Sequence, residues 1–330
     1  MKALRLIACL LAWIAAVFCA AWALGALYFD FPIVNLRAPA AVAFVLVLIG
    51  ALIWLPGKLL KIAAVFGGFA LVMCWWLTLK PTNDRQWQPD VAQLAWAEID
   101  GDEVKVHNVR NCDYRTETDF TPRWETRTVR LSEITGVDLA ITYWGSPWIA
   151  HPIVSFRFAD ALPLCFSIET RKAVGQSYSA LRGLYRQYTL VYVVADERDS
   201  IRLRSNYRHG EEVYFYRTMV SPEQARTRFL EYVNTINVLR DHPRWYNAIT
   251  SNCTTNIRTQ RSINERVPWD WRLLLNGKAD EMLYERHNVA TGGLLFAELK
   301  ERSLINQRAR AADQDSDFSR LIREGLPQGN

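Results

Sequence analysis

The 330-residue chain reads as an α+β protein carried on N-terminal transmembrane helices. Three observations predict that class. Residues 1–80 are almost wholly apolar, whereas residues 81–330 hold nearly all of the 39 Lys plus Arg and 34 Asp plus Glu. The polar part contains several short runs in which apolar and polar residues alternate, the two-residue period of half-buried strands. Among them lies "SPEQARTRFLEYVNTINVLRD", whose apolar residues recur at helical spacing.

The apolar part divides into residues 4–28, 38–55 and 59–79. Each is near the roughly 20 residues that cross a bilayer core as a helix, and the second is short enough for a re-entrant segment. The first run exceeds the roughly 7–15-residue apolar region of a cleaved signal peptide. "LIAC" at residues 6–9 imitates a lipidation box, but too few residues precede it. Lys2 and Arg5 before the first span, and Lys58 and Lys61 between the second and third, predict a cytoplasmic N-terminus and an exported residue 81–330 segment. Trp75 and Trp76 suit an interfacial belt. The expected division is an anchor at 1–80, a linker at 81–95, a domain at 96–300, and a polar tail at 301–330 in which "DFSRLIREGLP" keeps an amphipathic pattern.

Along the domain, "AWAEIDGDEVKVHNVRNCDYR" reads as a hairpin about Asp100 and Gly101. "HPIVSFRFA" and "LCFSIETR" are strands joined by the turn "DALP". A polar stretch compatible with helix precedes the strand "YTLVYVV", and "GEEVYFYRTM" is a further strand. Ser221 caps the long helix with Pro222 at its first position. After "HPRWYNAIT" a second helix is expected to run to about Val267.

The net charge of +5 is mixed along the chain and is no footprint of nucleic-acid binding. Cys9, Cys19 and Cys74 fall in the apolar spans, leaving Cys112, Cys165 and Cys253, an odd number. There is no CxxC pair and no zinc-like spacing, so neither a metal nor another cofactor is expected.

Ser251 and Asn252 are preferred N-cap types, which puts Cys253 in the first turn of the helix carrying Thr254, Ile257 and Arg258. Free N–H groups and the helix dipole there favour a thiolate and could receive an oxyanion. Of the five histidines, His151 begins an apolar strand, and Glu169 falls near the end of the paired strand, where a carboxylate could orient the imidazole. Plainer readings stand beside this one: an inert buried thiol, a structural histidine, a solvated glutamate, Asn252 as a cap alone, and Trp245 and Tyr246 as core aromatics.

The motifs "VHNVRNCDYRTETDF", "AHPIVSFRF", "SIETRK", "GLYRQYTLVYVVADERD", "RSNYRHGEEVYFYR" and "WYNAITSNCTTNI" occur in this order. The chain from about residue 103 to about 275 thereby resembles the bacterial Lnb N-terminal periplasmic domain family. That family looks like a circularly permuted relative of the NlpC-type peptidoglycan peptidases, in the same broad group as lecithin:retinol acyltransferase. The resemblance implies a permuted papain-like, antiparallel-sheet domain in which His precedes Cys. It implies His151 as base and Cys253 as nucleophile; Glu169 matches a motif, and its role as third member is inferred from its place beside His151, with Asn252, Thr254 and Tyr246 expected in support. The name-giving members are similar to lipoprotein N-acyltransferases, which move a fatty acyl chain from a phospholipid to a lipoprotein's N-terminal cysteine. In those members the spans follow the domain, whereas here they precede it. The expectations are a periplasmic domain at the bacterial inner membrane and acyl transfer or hydrolysis through a thioester, with phospholipid and lipoprotein as partners. The alternatives are a cysteine amidase or endopeptidase acting on peptidoglycan peptide, and a non-catalytic envelope scaffold.

Overall fold

Apolar length decides the first part of the chain. In the computed structural model, which describes residues 2–259, 270–273 and 275–328, three helices occupy it: α1 (Lys2–Asp30), α2 (Arg37–Trp54) and α3 (Lys58–Thr78). All three are long and apolar enough to cross a membrane. With them fold two short segments from far along the chain, Tyr178–Thr189 and Trp245–Ala248, to make the first of two units. Asp30, at the end of α1, is the hub of this unit. It is 7% exposed and accepts from the Trp76 indole at 2.7 Å, the Arg186 amide at 3.0 Å and the Gln187 side chain at 2.6 Å. The Arg186 guanidinium lies over the Trp76 ring, 4.0 Å from its centre. Gly25 permits the contact of Tyr185 with α1, since a Cβ there would stand 1.9 Å from the Tyr185 hydroxyl.

The second unit comprises Asn83–Ser177, Leu190–Arg244 and Ile249–Asn330. Its centre is an eight-stranded sheet. A hairpin of β1 (Trp96–Asp100) and β2 (Glu103–Arg110) turns at Gly101, whose φ of +57° suits glycine. A two-stranded ribbon, β3 (Asp113–Tyr114) with β4 (Phe120–Thr121), precedes β5 (Trp124–Arg130), which pairs with β2. Then come β6 (Ile134–Trp144), β7 (Ala150–Phe158), β8 (Leu164–Arg171), β9 (Thr189–Asp196) and β10 (Glu211–Arg217). The spatial order is β1-β2-β9-β8-β7-β6-β10. β9 is buried along its whole length, as its unbroken apolar run requires of a central strand. The sheet is mixed and not purely antiparallel, because β2 meets β9 in parallel at Arg110 and Ala195. A neighbour so distant in sequence is chosen by tertiary packing, which a two-residue period does not reveal.

The two faces of β7 and β8 bury different partners. Phe156, Phe158 and Phe166 stack edge-on against Phe229 of α5 (Pro222–Asp241), whose start is fixed by a Ser221–Gln224 capping box. On the other face Ile153, Cys165 and Phe215 meet Ile305, Phe318 and Ile322. β9 leads into α4 (Glu197–Arg202) and a π-helical turn, Leu203–Tyr207. The helix opening at Cys253, α6, is described as Cys253–Thr259, and its expected continuation to Val267 lies outside the described residues. α7 (Ala279–Glu285), α8 (Phe296–Ser303), α9 (Asn306–Ala311) and α10 (Phe318–Leu321) complete the chain. In the stretch preceding "YTLVYVV" the helical part is a single 3₁₀ turn, Arg182–Leu184.

Residues 83–95 are folded onto the sheet, with the Arg171 guanidinium donating to the carbonyls of Val91 at 2.9 Å and Ala92 at 2.7 Å. The C-terminal segment is held by charge as well as by its apolar face. Arg323 donates to Asp138 at 2.8 Å and to both Glu197 oxygens at 2.8 and 2.6 Å, and both carboxylates are fully buried. Arg323→Ala leaves Glu197 without its counter-ion and Asp138 with Arg157 alone. The expected cost is about 3–5 kcal/mol, read as a lower urea midpoint of the full-length protein. A loss no larger than the roughly 0–1 kcal/mol of a surface pair would show the tail to be held by its apolar contacts.

Candidate active site

Strand register brings the histidine and the glutamate together. β7 and β8 pair with Ile153 opposite Ser167, so two residues further on His151 faces Glu169 across the ladder. Alternation puts Ser167 on the same face. Ser167 closes the gap between them: its hydroxyl donates to Glu169 Oε1 at 2.6 Å and lies 2.7 Å from His151 Nε2. The direct Nε2–Oε1 separation is 3.7 Å. A serine has one hydroxyl proton, here committed to Glu169, so the Nε2–H of a neutral imidazole donates to Ser167 and Nδ1 keeps the free lone pair. Among the described residues Nδ1 makes no hydrogen bond.

Glu169 is held on its other side by Arg204, whose guanidinium donates to Oε1 at 3.0 Å and also pairs with Glu211 at 3.5 Å. Burial pushes the Glu169 carboxyl up, but Arg204, His151 and the Ser167 hydroxyl outweigh it and hold the carboxyl well below its usual range. His151 is moved the other way. Burial first, and the Arg204 charge second, lower its pKa to about 3, with Glu169 only partly compensating.

Asn252 caps α6 as its residue type predicts: its Oδ1 accepts from Thr255 N at 2.9 Å, and Thr255 Oγ1 accepts from Asn252 N at 2.9 Å. Cys253 follows at the first helical position, 8% exposed. Its sulfur lies 3.8 Å from Thr254 Oγ1 and 3.6 Å from Asn276 Nδ2. Asn276 also donates to Thr254 Oγ1 at 3.0 Å and accepts from the amide of Ala150, next to His151, at 2.9 Å. Gly277 N donates to Trp148 O at 2.9 Å, an approach so close that a Cβ on Gly277 would stand 2.4 Å from the Trp148 carbonyl carbon.

The helix start does favour a thiolate, through the Thr254 hydroxyl and the amides of Thr254 and Cys253, yet burial is the larger effect and raises the thiol pKa. The resting pair is therefore a thiol and a neutral imidazole, a correction to the thiolate expected from helix position alone. Tyr246 belongs to the first unit, where its amide donates to Tyr188 O at 3.0 Å. Among the described residues no cluster of His, Cys, Asp and Glu could hold a metal ion, and all six cysteines are free thiols.

On the sheet face opposite His151 lies an apolar cavity of about 140 Å³. Pro152, Val154 and Phe156 of β7 form its floor, Thr254 and Ile257 of α6 one wall, and Met282 of α7 another. Thr254, the neighbour of Cys253, thus belongs to both the thiol's surroundings and the cavity.

Sequence reasoning passed over Ser167 and Asn276. Ser167 was within reach, since it opens "SIETRK" and stands at the period-two position from Glu169. Asn276 carried no comparable signal: it lies in a 3₁₀ turn, Asn276–Lys278, remote from the cysteine motif.

Three helices long and apolar enough to cross a membrane, followed by an α+β unit, fit a membrane-anchored protein. The model of the Lnb N-terminal periplasmic domain matches residues 120–277 of the chain. The matched span includes His151, Ser167, Glu169, Asn252, Cys253 and Asn276. No curated protein and no solved structure matches the chain.

The low pKa of His151 fixes the sign of a pH effect. Between about pH 3 and the ordinary value near 6.5, the unfolded chain protonates this imidazole and the folded domain does not, so stability falls as the pH is lowered through 6.5. His151→Gln is expected to remove about 1–2 kcal/mol of the loss between pH 7.5 and 5, measured by urea unfolding at both values. Identical pH dependence in the two proteins would mean that the folded imidazole is charged.

Proposed function

We propose that the protein is a cysteine-dependent acyltransferase or acyl hydrolase at the outer face of the bacterial inner membrane. The lysines flanking the spans support a cytoplasmic N-terminus and a periplasmic second unit. The observation that carries the chemistry is the His151–Ser167–Glu169 relay, which commits Nε2–H to Ser167 and leaves Nδ1 as a proton acceptor.

In this reading Nδ1 takes the Cys253 thiol proton as the sulfur bonds to an ester carbonyl carbon. The carbonyl electron pair moves onto oxygen, where the Cys253 and Thr254 amides receive it. Collapse expels the alcohol, which leaves with the proton from His151, and the acyl group remains on sulfur as a thioester. An amine, such as that of a lipoprotein's N-terminal cysteine, or water then gives up a proton to Nδ1 as it bonds to the acyl carbon, and collapse breaks the carbon–sulfur bond, the departing sulfur taking that proton back as the thiol. Glu169 steadies the transient imidazolium through Ser167, against the opposing charge of Arg204.

The same residues could open a peptide amide. The cavity favours a fatty acyl donor, because the apolar part of its lining, Pro152, Val154, Phe156, Ile257 and Met282 among it, offers an aliphatic chain dispersion contacts.

With the full-length protein and phospholipid vesicles, Cys253→Ala should abolish acyl transfer and fatty-acid release, and His151→Ala should slow both by about 10²–10⁴-fold. Retained transfer in a folded Cys253→Ala protein would sink the reading. Ile257→Trp, which fills the cavity, should suppress turnover of long-chain donors while sparing short ones. Equal loss for both would remove the cavity from the account.

A further inference from the structure

We propose that Asn276 is a positioning residue for the nucleophile, donating to the Cys253 sulfur from one end of its side chain while the other end is anchored on the strand that presents His151. This rests on the reading of Cys253 as nucleophile. A carboxamide has one accepting and one donating end, and here both are committed. The Ala150 amide can only donate, so the 2.9 Å contact must be to Oδ1. Nδ2 is thereby turned toward Cys253 Sγ at 3.6 Å and Thr254 Oγ1 at 3.0 Å.

Asn276 is 8% exposed, and its successor is locked against Trp148 by the glycine contact, so the fork is fixed before any substrate arrives. Sulfur accepts a hydrogen bond weakly as a thiol and strongly as a thiolate, and the neutral amide donates at every pH. The donation therefore selectively favours the reactive form and sets where it forms relative to the end of β7.

The test is the pH profile of Cys253 alkylation by iodoacetamide in the full-length protein, followed by peptide mass mapping so that the other five thiols do not contribute. Asn276→Asp keeps the shape and the acceptor for Ala150 but replaces the donor with a carboxylate. Asn276→Ala removes the donor without adding charge, and stands in if the aspartate variant does not fold. Both should move the alkylation midpoint upward, by about one pH unit or more for the aspartate, which is a tenfold slower reaction at any pH below the midpoint. A wild-type midpoint in either folded variant would overturn the proposal. Because alkylation reads the sulfur itself, this outcome is separate from the fate of the catalytic reading, which falls if Cys253→Ala still transfers acyl groups.

Discussion

An ionised carboxylate held inside the second unit is the constraint on which the site depends. Glu169 is four-fifths buried, and alone in such surroundings it would take up a proton. Arg204 prevents this, and Arg204 is itself balanced by Glu211 at the start of β10. One anion thus ties β8, the π-helical turn and the edge of the sheet into one electrostatic unit. With Glu169 charged, the Ser167 proton has a single destination, and the tautomer of His151 follows. The arrangement fixes a direction for proton movement by hydrogen-bond accounting while the histidine is neutral at rest.

The thiol stands under the opposite constraint. Burial keeps it protonated, and the groups that would favour its anion, the helix-start amides and the Asn276 amide, are already in place. Such a site is preorganised for charge without carrying it at rest. It keeps the sulfur from reacting indiscriminately with oxidants and electrophiles, since thiol reactivity follows thiolate content.

The sequence made legible whatever depends on local period and caps. "HPIVSFRF" and "LCFSIETR" are β-rich runs that form the two strands read from them, and the turn between them sets the register that faces His151 with Glu169. Asn252 and Cys253 were placed at a helix start by residue type alone. What stayed hidden depends on pieces of chain that meet only when folded. Asn276 reaches Cys253 from another element, β2 finds β9 in parallel, and Arg323 turns a polar tail into part of the core by pairing with two buried carboxylates. The state of the thiol divides in the same way: helix position, which favours a thiolate, can be read from neighbours in sequence, but burial, which opposes it, cannot.

The hub at Asp30 has a consequence for how such a chain is made. Its partners Arg186 and Gln187, and the Tyr185 ring on Gly25, leave the ribosome long after α1. The polypeptide passes from one unit to the other after Thr82, Ser177, Thr189, Arg244 and Ala248, so neither can be completed before the next is begun. Assembly is therefore interleaved: the three apolar helices are synthesised long before the loops that complete their unit. An excised soluble fragment beginning after the anchor would emerge with Tyr185 and its neighbours deprived of the helix they are shaped to meet.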